Sequence, residues 1–269
     1  MDAVTSAKAE SNRRRIAILA TLYGLLCHVT FVAGVGTMMV VLHGGMVGAL
    51  GDAPAPWSWL FNAALLLQFP LLHTALLSRR GTGFMRRLVP GATGVPLLST
   101  TYALIASLQT AALFLGWTPS GHIWWQAHGP LLIVFEVCNA AAWLLLGKAI
   151  LDAGMGLQTG FLGWWAVVRG RRPVYPAMPT RGLFRWCRQP IYVAFALTLW
   201  TPPTKTPDGL IVALVLTSYC VIGPLYKEAR FSRRFGLQFA AYQAATPYWL
   251  PWPRPKRPVT ARTGDAPEE

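Results

Sequence analysis

Five or six stretches of this chain are long and apolar enough to cross ~30 Å of hydrocarbon, or nearly so. They run over residues 16–43, 57–78, 97–117, 129–148, 191–200 and 209–226. A backbone in lipid must satisfy its own N–H and C=O groups, so such segments fold as helices. The predicted class is therefore all-α: a polytopic membrane helical bundle of five to six transmembrane helices. Composition agrees, with 54% hydrophobic and only 13% charged residues among 269. A soluble domain carries charge at roughly a quarter of its positions. The net charge of +14 is not that of a nucleic-acid binder, because the basic residues sit between apolar runs rather than along one face.

The distribution of that charge orients the bundle. Of the 24 Lys and Arg, all but Lys205 fall in residues 1–15, 79–96, 148–188 or beyond 226. The intervening loops 44–56 and 118–128 hold none. By the positive-inside rule both termini and the loops 79–96 and 149–190 face the cytoplasm, with the basic rims against anionic headgroups. The expected location is a cell membrane, multi-pass. The first apolar run is too long for a cleaved signal peptide, and a second span follows closely. The expected organisation is a basic N-terminus (1–15), a membrane domain (16–252) and a disordered Pro-, Arg- and Lys-rich tail (253–269).

Within that domain, 190–226 reads as a helical hairpin and 227–252 as the cytoplasmic segment that follows it. The hairpin's first arm, 191–200, would rise only ~15 Å as a helix. The Thr201-Pro202-Pro203 break ends it, since proline cannot continue the hydrogen-bond ladder. The arm either crosses fully, using 183–190 at its base, or is partly re-entrant.

Few residues are equipped for chemistry. Cys27, Cys138 and Cys220 lie in apolar spans and Cys187 at the cytoplasmic side, with no CxxC, so they read as buried small hydrophobes. The five histidines form no HxxxH pair, and no metal site is expected. His73, near the cytoplasmic end of the second span, is a candidate base, against a packing role. Glu136 and Asn139 of the fourth span can face the bundle interior as hydrogen-bonding groups between helices. Asp52 and Asp208 belong to outer loops. Glu228 is the lone acid among Lys227, Arg230, Arg233 and Arg234, where the last span meets the cytoplasm. It reads either as a helical ion pair of the i,i+3 or i,i+4 kind or as a ligand-binding group. Arg185-Trp186-Cys187-Arg188-Gln189-Pro190-Ile191-Tyr192 opens a helix at Pro190, whose free N–H groups suit a carboxylate. Snorkelling basic anchors are the alternative.

These residues carry a resemblance. The run Arg181-Gly-Leu-Phe-Arg-Trp-Cys-Arg-Gln-Pro-Ile-Tyr192 precedes a helical hairpin. It is followed by Lys227-Glu-Ala-Arg-Phe-Ser-Arg-Arg-Phe-Gly236, Tyr242 and Pro247-Tyr-Trp-Leu-Pro251. The whole resembles integral membrane methyltransferases related to isoprenylcysteine carboxyl methyltransferase, whose pattern is Arg-His-Pro-x-Tyr, a hairpin, a Glu-containing turn and Phe-Gly-x5-Tyr. Gln68 through His73-Thr74 and Ser99-Thr-Thr-Tyr-Ala-Leu104 are similar to the nurim-like branch, which includes methanethiol S-methyltransferases. The likeness covers about residues 57–253.

The resemblance implies S-adenosyl-L-methionine as cofactor, held at the cytoplasmic face. It implies that Arg188, Gln189 and Tyr192 line its pocket, that Glu228 closes it, and that Arg230 and Tyr242 stand with them. The family's His is Gln189 here, which keeps a donor and an acceptor but has no acid–base function near neutral pH. Methyl transfer from a sulfonium needs positioning more than acid–base help once the acceptor is a thiolate. A small thiol is only slightly ionised at pH 7, and His73 or an arginine such as Arg188 would favour the thiolate. The implied acceptor is a small thiol, methanethiol giving dimethyl sulfide. A lipidic or prenylated acceptor, and a non-catalytic membrane scaffold or transporter, stay open beside it.

Overall fold

A computed structural model describes residues 2–89 and 93–250, with side chains from Thr5 onward. The tail expected at 253–269 lies outside the described residues. Among the described residues nine α-helices follow in chain order: α1 Asp2–His43, α2 Trp57–Leu76, α3 Arg79–Leu88, α4 Leu98–Gly116, α5 Gly129–Gln158, α6 Phe161–Val168, α7 Pro190–Trp200, α8 Pro207–Phe235 and α9 Leu237–Ala245. Among the described residues five helical runs have the length and apolarity of membrane spans: Thr5–His43, Trp57–Leu76, Leu98–Gly116, Gly129–Val168 and Pro207–Phe235, with Pro190–Trp200 as a shorter apolar helix. The chain is an all-α membrane bundle.

Helices α1, α5 and α8 run further than their apolar stretches do, whereas α2 and α4 end within two residues of theirs. The basic residues of 1–15 continue α1 rather than precede it. The fourth span does not stop at Lys148 but continues to Gln158, bending at Gly154 (φ 95°), before α6 folds back onto α1 and α4. Expected loop 149–190 is thus helical over nearly all of 149–168, because its apolar residues find a bundle surface to cover. Small residues permit that approach: a Cβ on Gly163 would lie 2.6 Å from Thr100 Oγ1. Thr100 instead donates to Gly160 O (2.7 Å) and accepts from Trp164 N (3.0 Å).

At one end of the bundle, buried Met38, Val41, Leu66, Leu113, Leu199 and Leu216 belong to one apolar core built from α1, α2, α4, α7 and α8. The connections at that end are tied by a two-residue antiparallel ladder, Trp125 opposite Lys205 and Gln126 opposite Thr204. The 201–206 turn of the hairpin therefore lies level with the α4–α5 connection. Asp208, expected in an outer loop, is buried in the first turn of α8. Its carboxylate accepts from Trp117 Nε1 (3.0 Å), Ser120 N (2.9 Å) and Ser120 Oγ (2.5 Å). Glu136 pairs with His43 across helices (2.9 Å), and Asn139 donates to Thr201 Oγ1 (3.1 Å), both as interhelical polar contacts. Cys27, Cys187 and Cys220 are buried, whereas Cys138 is exposed on the bundle surface, where a span meets lipid rather than a neighbour.

At the other end, α8 carries the chain ~30 Å from Pro207 to Glu228, about the thickness of the hydrocarbon. Pro224 interrupts its ladder, since it has no N–H for Cys220 O. The indole of Trp249 supplies the missing donor to Cys220 O (3.2 Å), and Tyr248 OH donates to Val221 O (2.6 Å). The segment after α9 is thereby fastened along α8, over the start of α7.

Candidate functional site

The site forms where the start of α7, the far half of α8 and the 243–250 segment meet. A 3-10 turn, Gly182–Arg185, leads the chain into it. Asp152 of α5 holds that turn by accepting from Leu183 N (2.8 Å), and it is also paired with Lys148. Gly182 has φ +59°, and a Cβ there would meet the Asp152 carboxylate. The left-handed backbone and the close carboxylate both require glycine.

Arg188, Gln189 and Glu228 are all buried, and they form one network. Arg188 Nε donates to Glu228 Oε1 (2.8 Å) and Nη2 to Oε2 (3.2 Å), a two-point pair. Gln189 Nε2 donates to Oε1 (2.7 Å) and Gln243 Nε2 to Oε2 (2.9 Å). Gln189 Oε1 accepts from Lys227 Nζ (2.8 Å), so its amide is held between a cation and an anion. Arg188 also fixes the C-terminal segment, with Nη1 donating to Thr246 O (2.5 Å) and Gln243 O (3.1 Å) and its backbone N–H to Pro247 O (2.9 Å). A buried ion pair is tolerable only when its remaining valences are used, and here they are.

The local pairing expected of Glu228 does not occur. Positions i+3 and i+4 from it are Phe231 and Ser232, and its nearby cations leave the helix on other faces. Its partner is forty residues back in the chain.

Between these side chains is a cavity of about 10 Å³, lined by Arg188, Gln189, Lys227, Glu228 and Tyr242 with Pro179 and the rings of Phe184, Phe231 and Phe239. Tyr242 OH donates to Phe184 O (2.7 Å), and burial first of all holds that phenol above the usual tyrosine range, so it stays a donor. Cys187, just before the network, has its thiol pushed up by burial and is no thiolate at neutral pH.

Tyr192 and Arg230 do not line that cavity. They lie on its far side, where the Tyr192 ring is 5.7 Å from Lys227 Nζ and 6.5 Å from the Tyr219 ring. Arg230 acts electrostatically on Tyr192, Tyr219, Tyr102 and His73. His73 stacks on Phe69 (5.1 Å) and abuts Tyr102 (4.9 Å), whose hydroxyl donates to His73 O (3.3 Å). Next to it, Thr74 Oγ1 and Tyr219 OH are 3.3 Å apart. The seven candidate site residues thus fall in two adjoining groups that meet at Lys227, Tyr192 and Tyr219.

Lys227, Gln243, Phe184 and Tyr219 were not singled out. Lys227 was visible only as a neighbour of Glu228, and Gln243 follows Tyr242 without any signal of its own. Chemically, the first group offers two cations, one carboxylate and four aromatic rings, the set needed to hold a ligand bearing charges of both signs. Among the described residues no cluster of His, Cys, Asp or Glu could hold a metal ion.

Comparison with known proteins gives a consistent likeness. The chain is 24% identical over 241 residues to methanethiol S-methyltransferase 1 of Bradyrhizobium diazoefficiens, covering 88% of this chain and 83% of that protein. It is 27% identical over 237 residues to a methanethiol S-methyltransferase of Pseudomonas, covering 82% and 86%. Nurim of Xenopus laevis is 26% identical over 235 residues, covering 75% and 78%. No family model matches the chain, and no solved structure does. Over most of its length, and on a helical membrane scaffold, the chain is thus similar to nurim-like and methanethiol S-methyltransferase-like proteins.

Proposed function

We propose that this protein transfers a methyl group from S-adenosyl-L-methionine to a small thiol, methanethiol giving dimethyl sulfide, in a cell membrane with its basic face and both termini in the cytoplasm. The observation that carries the reading is the buried network of Arg188, Gln189, Lys227 and Glu228 in a chain whose relatives are named for this reaction. The cofactor supplies an electrophilic methyl on a sulfonium, beside a zwitterionic amino-acid end and an adenine.

The residues fit that group chemically. Arg188 and Lys227 suit its carboxylate, Glu228 its ammonium or ribose hydroxyls, and Phe184, Phe231 and Phe239 its base. The space between them is that of about one water, so loading the site means exchanging contacts that these side chains make with one another. The protein's part is to bind, to orient and to exclude water, which suffices for a displacement by a thiolate.

Calorimetry with S-adenosylmethionine on the purified protein tests the cofactor. Binding is expected, with loss in Arg188→Ala and Glu228→Ala; full affinity in both variants would remove this site. Headspace detection of dimethyl sulfide from cells fed methanethiol tests the acceptor. A protein that binds the cofactor and makes no dimethyl sulfide would have another acceptor.

A further inference from the structure

We propose that the aromatic enclosure around His73 is the acceptor subsite, and that His73 Nδ1 is the base that takes the thiol proton. The inference rests on the methyl-transfer reading above and adds the residue that makes a neutral thiol reactive.

The first observation is an orphan. His73 Nδ1 is buried and has no hydrogen-bond partner among the described residues. A buried polar atom left unpaired carries a cost of about 1–3 kcal/mol and calls for an explanation. With its ring proton on Nε2, that nitrogen presents a lone pair to whatever enters. The second observation is the wall. Phe69 stacks on the imidazole, Tyr102 abuts it, and Tyr219 stands edge-on to Phe69 at 6.4 Å. Rings of this kind make a good surface for a small polarisable sulfur compound. The third is position. From His73 the rings continue through Tyr219 and Tyr192 to Lys227, whose ammonium is hydrogen-bonded to Gln189 of the first group.

The step balances without a further reactant. The S–H bond breaks and its proton passes to His73 Nδ1. The thiolate sulfur forms the new S–CH3 bond while the methyl–sulfonium bond breaks, its electron pair staying on the departing sulfur. The imidazolium then releases its proton to solvent. The ligand class is a small neutral thiol that is mostly protonated at neutral pH, since an already ionised thiol needs no base.

That last point supplies the test. kcat/KM is measured for wild type, His73→Ala and His73→Asn with an alkanethiol and with a more acidic aromatic thiol, and S-adenosylmethionine affinity is measured for each as a folding control. Expected is a loss on the order of 10²-fold or more for the alkanethiol in both variants, and a much smaller loss for the aromatic thiol. Equal losses for the two thiols, or none, would overturn the role of His73, because a merely structural effect does not follow substrate acidity. If wild type binds the cofactor but methylates neither thiol, the methyl-transfer reading itself fails, and this inference with it.

Discussion

Helix α8 carries one buried acid near each end, and the two are put to opposite uses. Asp208 and Glu228 are 6% and 7% exposed. Asp208 is met only by neutral donors, the Trp117 indole and the Ser120 amide and hydroxyl. Glu228 is met by the Arg188 guanidinium and two glutamine amides, beside a cavity. Equal burial therefore says nothing about role. The partners do: Asp208 staples one connection to the helix, while Glu228 gathers α7, α8 and the 243–250 segment around a space.

The sharpest break of that comparison is Glu228→Ala. It leaves the buried Arg188 without its counter-charge, so a loss of ~3–5 kcal/mol is expected, read as a lowered unfolding temperature in detergent together with lost S-adenosylmethionine binding. Asp208→Ala removes an acceptor from three donors and should cost about 1–3 kcal/mol. Its cofactor affinity should match wild type; a weakened affinity would show that the two ends are coupled. Gly182→Ala puts an L residue at φ +59° and a Cβ against Asp152, for a cost of roughly 1–2 kcal/mol. Because the turn it disturbs leads into Arg188, calorimetry should show weaker cofactor binding as well. Lys205→Ala, at the Asp208 end, should change stability by less than ~1 kcal/mol and leave methyl transfer untouched.

Much of the scaffold was legible in the sequence, and the reason is lipid. A run such as 57–78 has no stable conformation in hydrocarbon other than a helix, and its ends can be placed within a few residues: α2 is Trp57–Leu76. Where that constraint lapses the reading became less sharp. The fourth span was placed at 129–148 because charge begins at Lys148, yet α5 runs on to Gln158 since the residues after it still have a helical surface to cover. Cys138 was read as buried because apolarity marks membrane depth and not which side of a helix meets lipid.

The candidate site was legible in its members more than in its connections. Arg188, Gln189, Tyr192, Glu228, Arg230, Tyr242 and His73 do gather at one end of the bundle. Their division into two groups, with Lys227, Tyr192 and Tyr219 between them, depends on how α2, α4, α7 and α8 pack. No spacing along the chain encodes that.

The amino-acid sequence alone determined that this protein is a helical membrane bundle with one strongly basic face, because apolar length and loop charge act on each segment independently. Only the tertiary structure decided that Glu228 takes Arg188 rather than a neighbour on its own helix, and that His73 has a nitrogen with no partner among the described residues. Both are matters of which side chains meet across elements distant in the chain. A charge buried beside hydrocarbon chooses the partner whose geometry uses all its valences, and that choice exists only once the helices have packed.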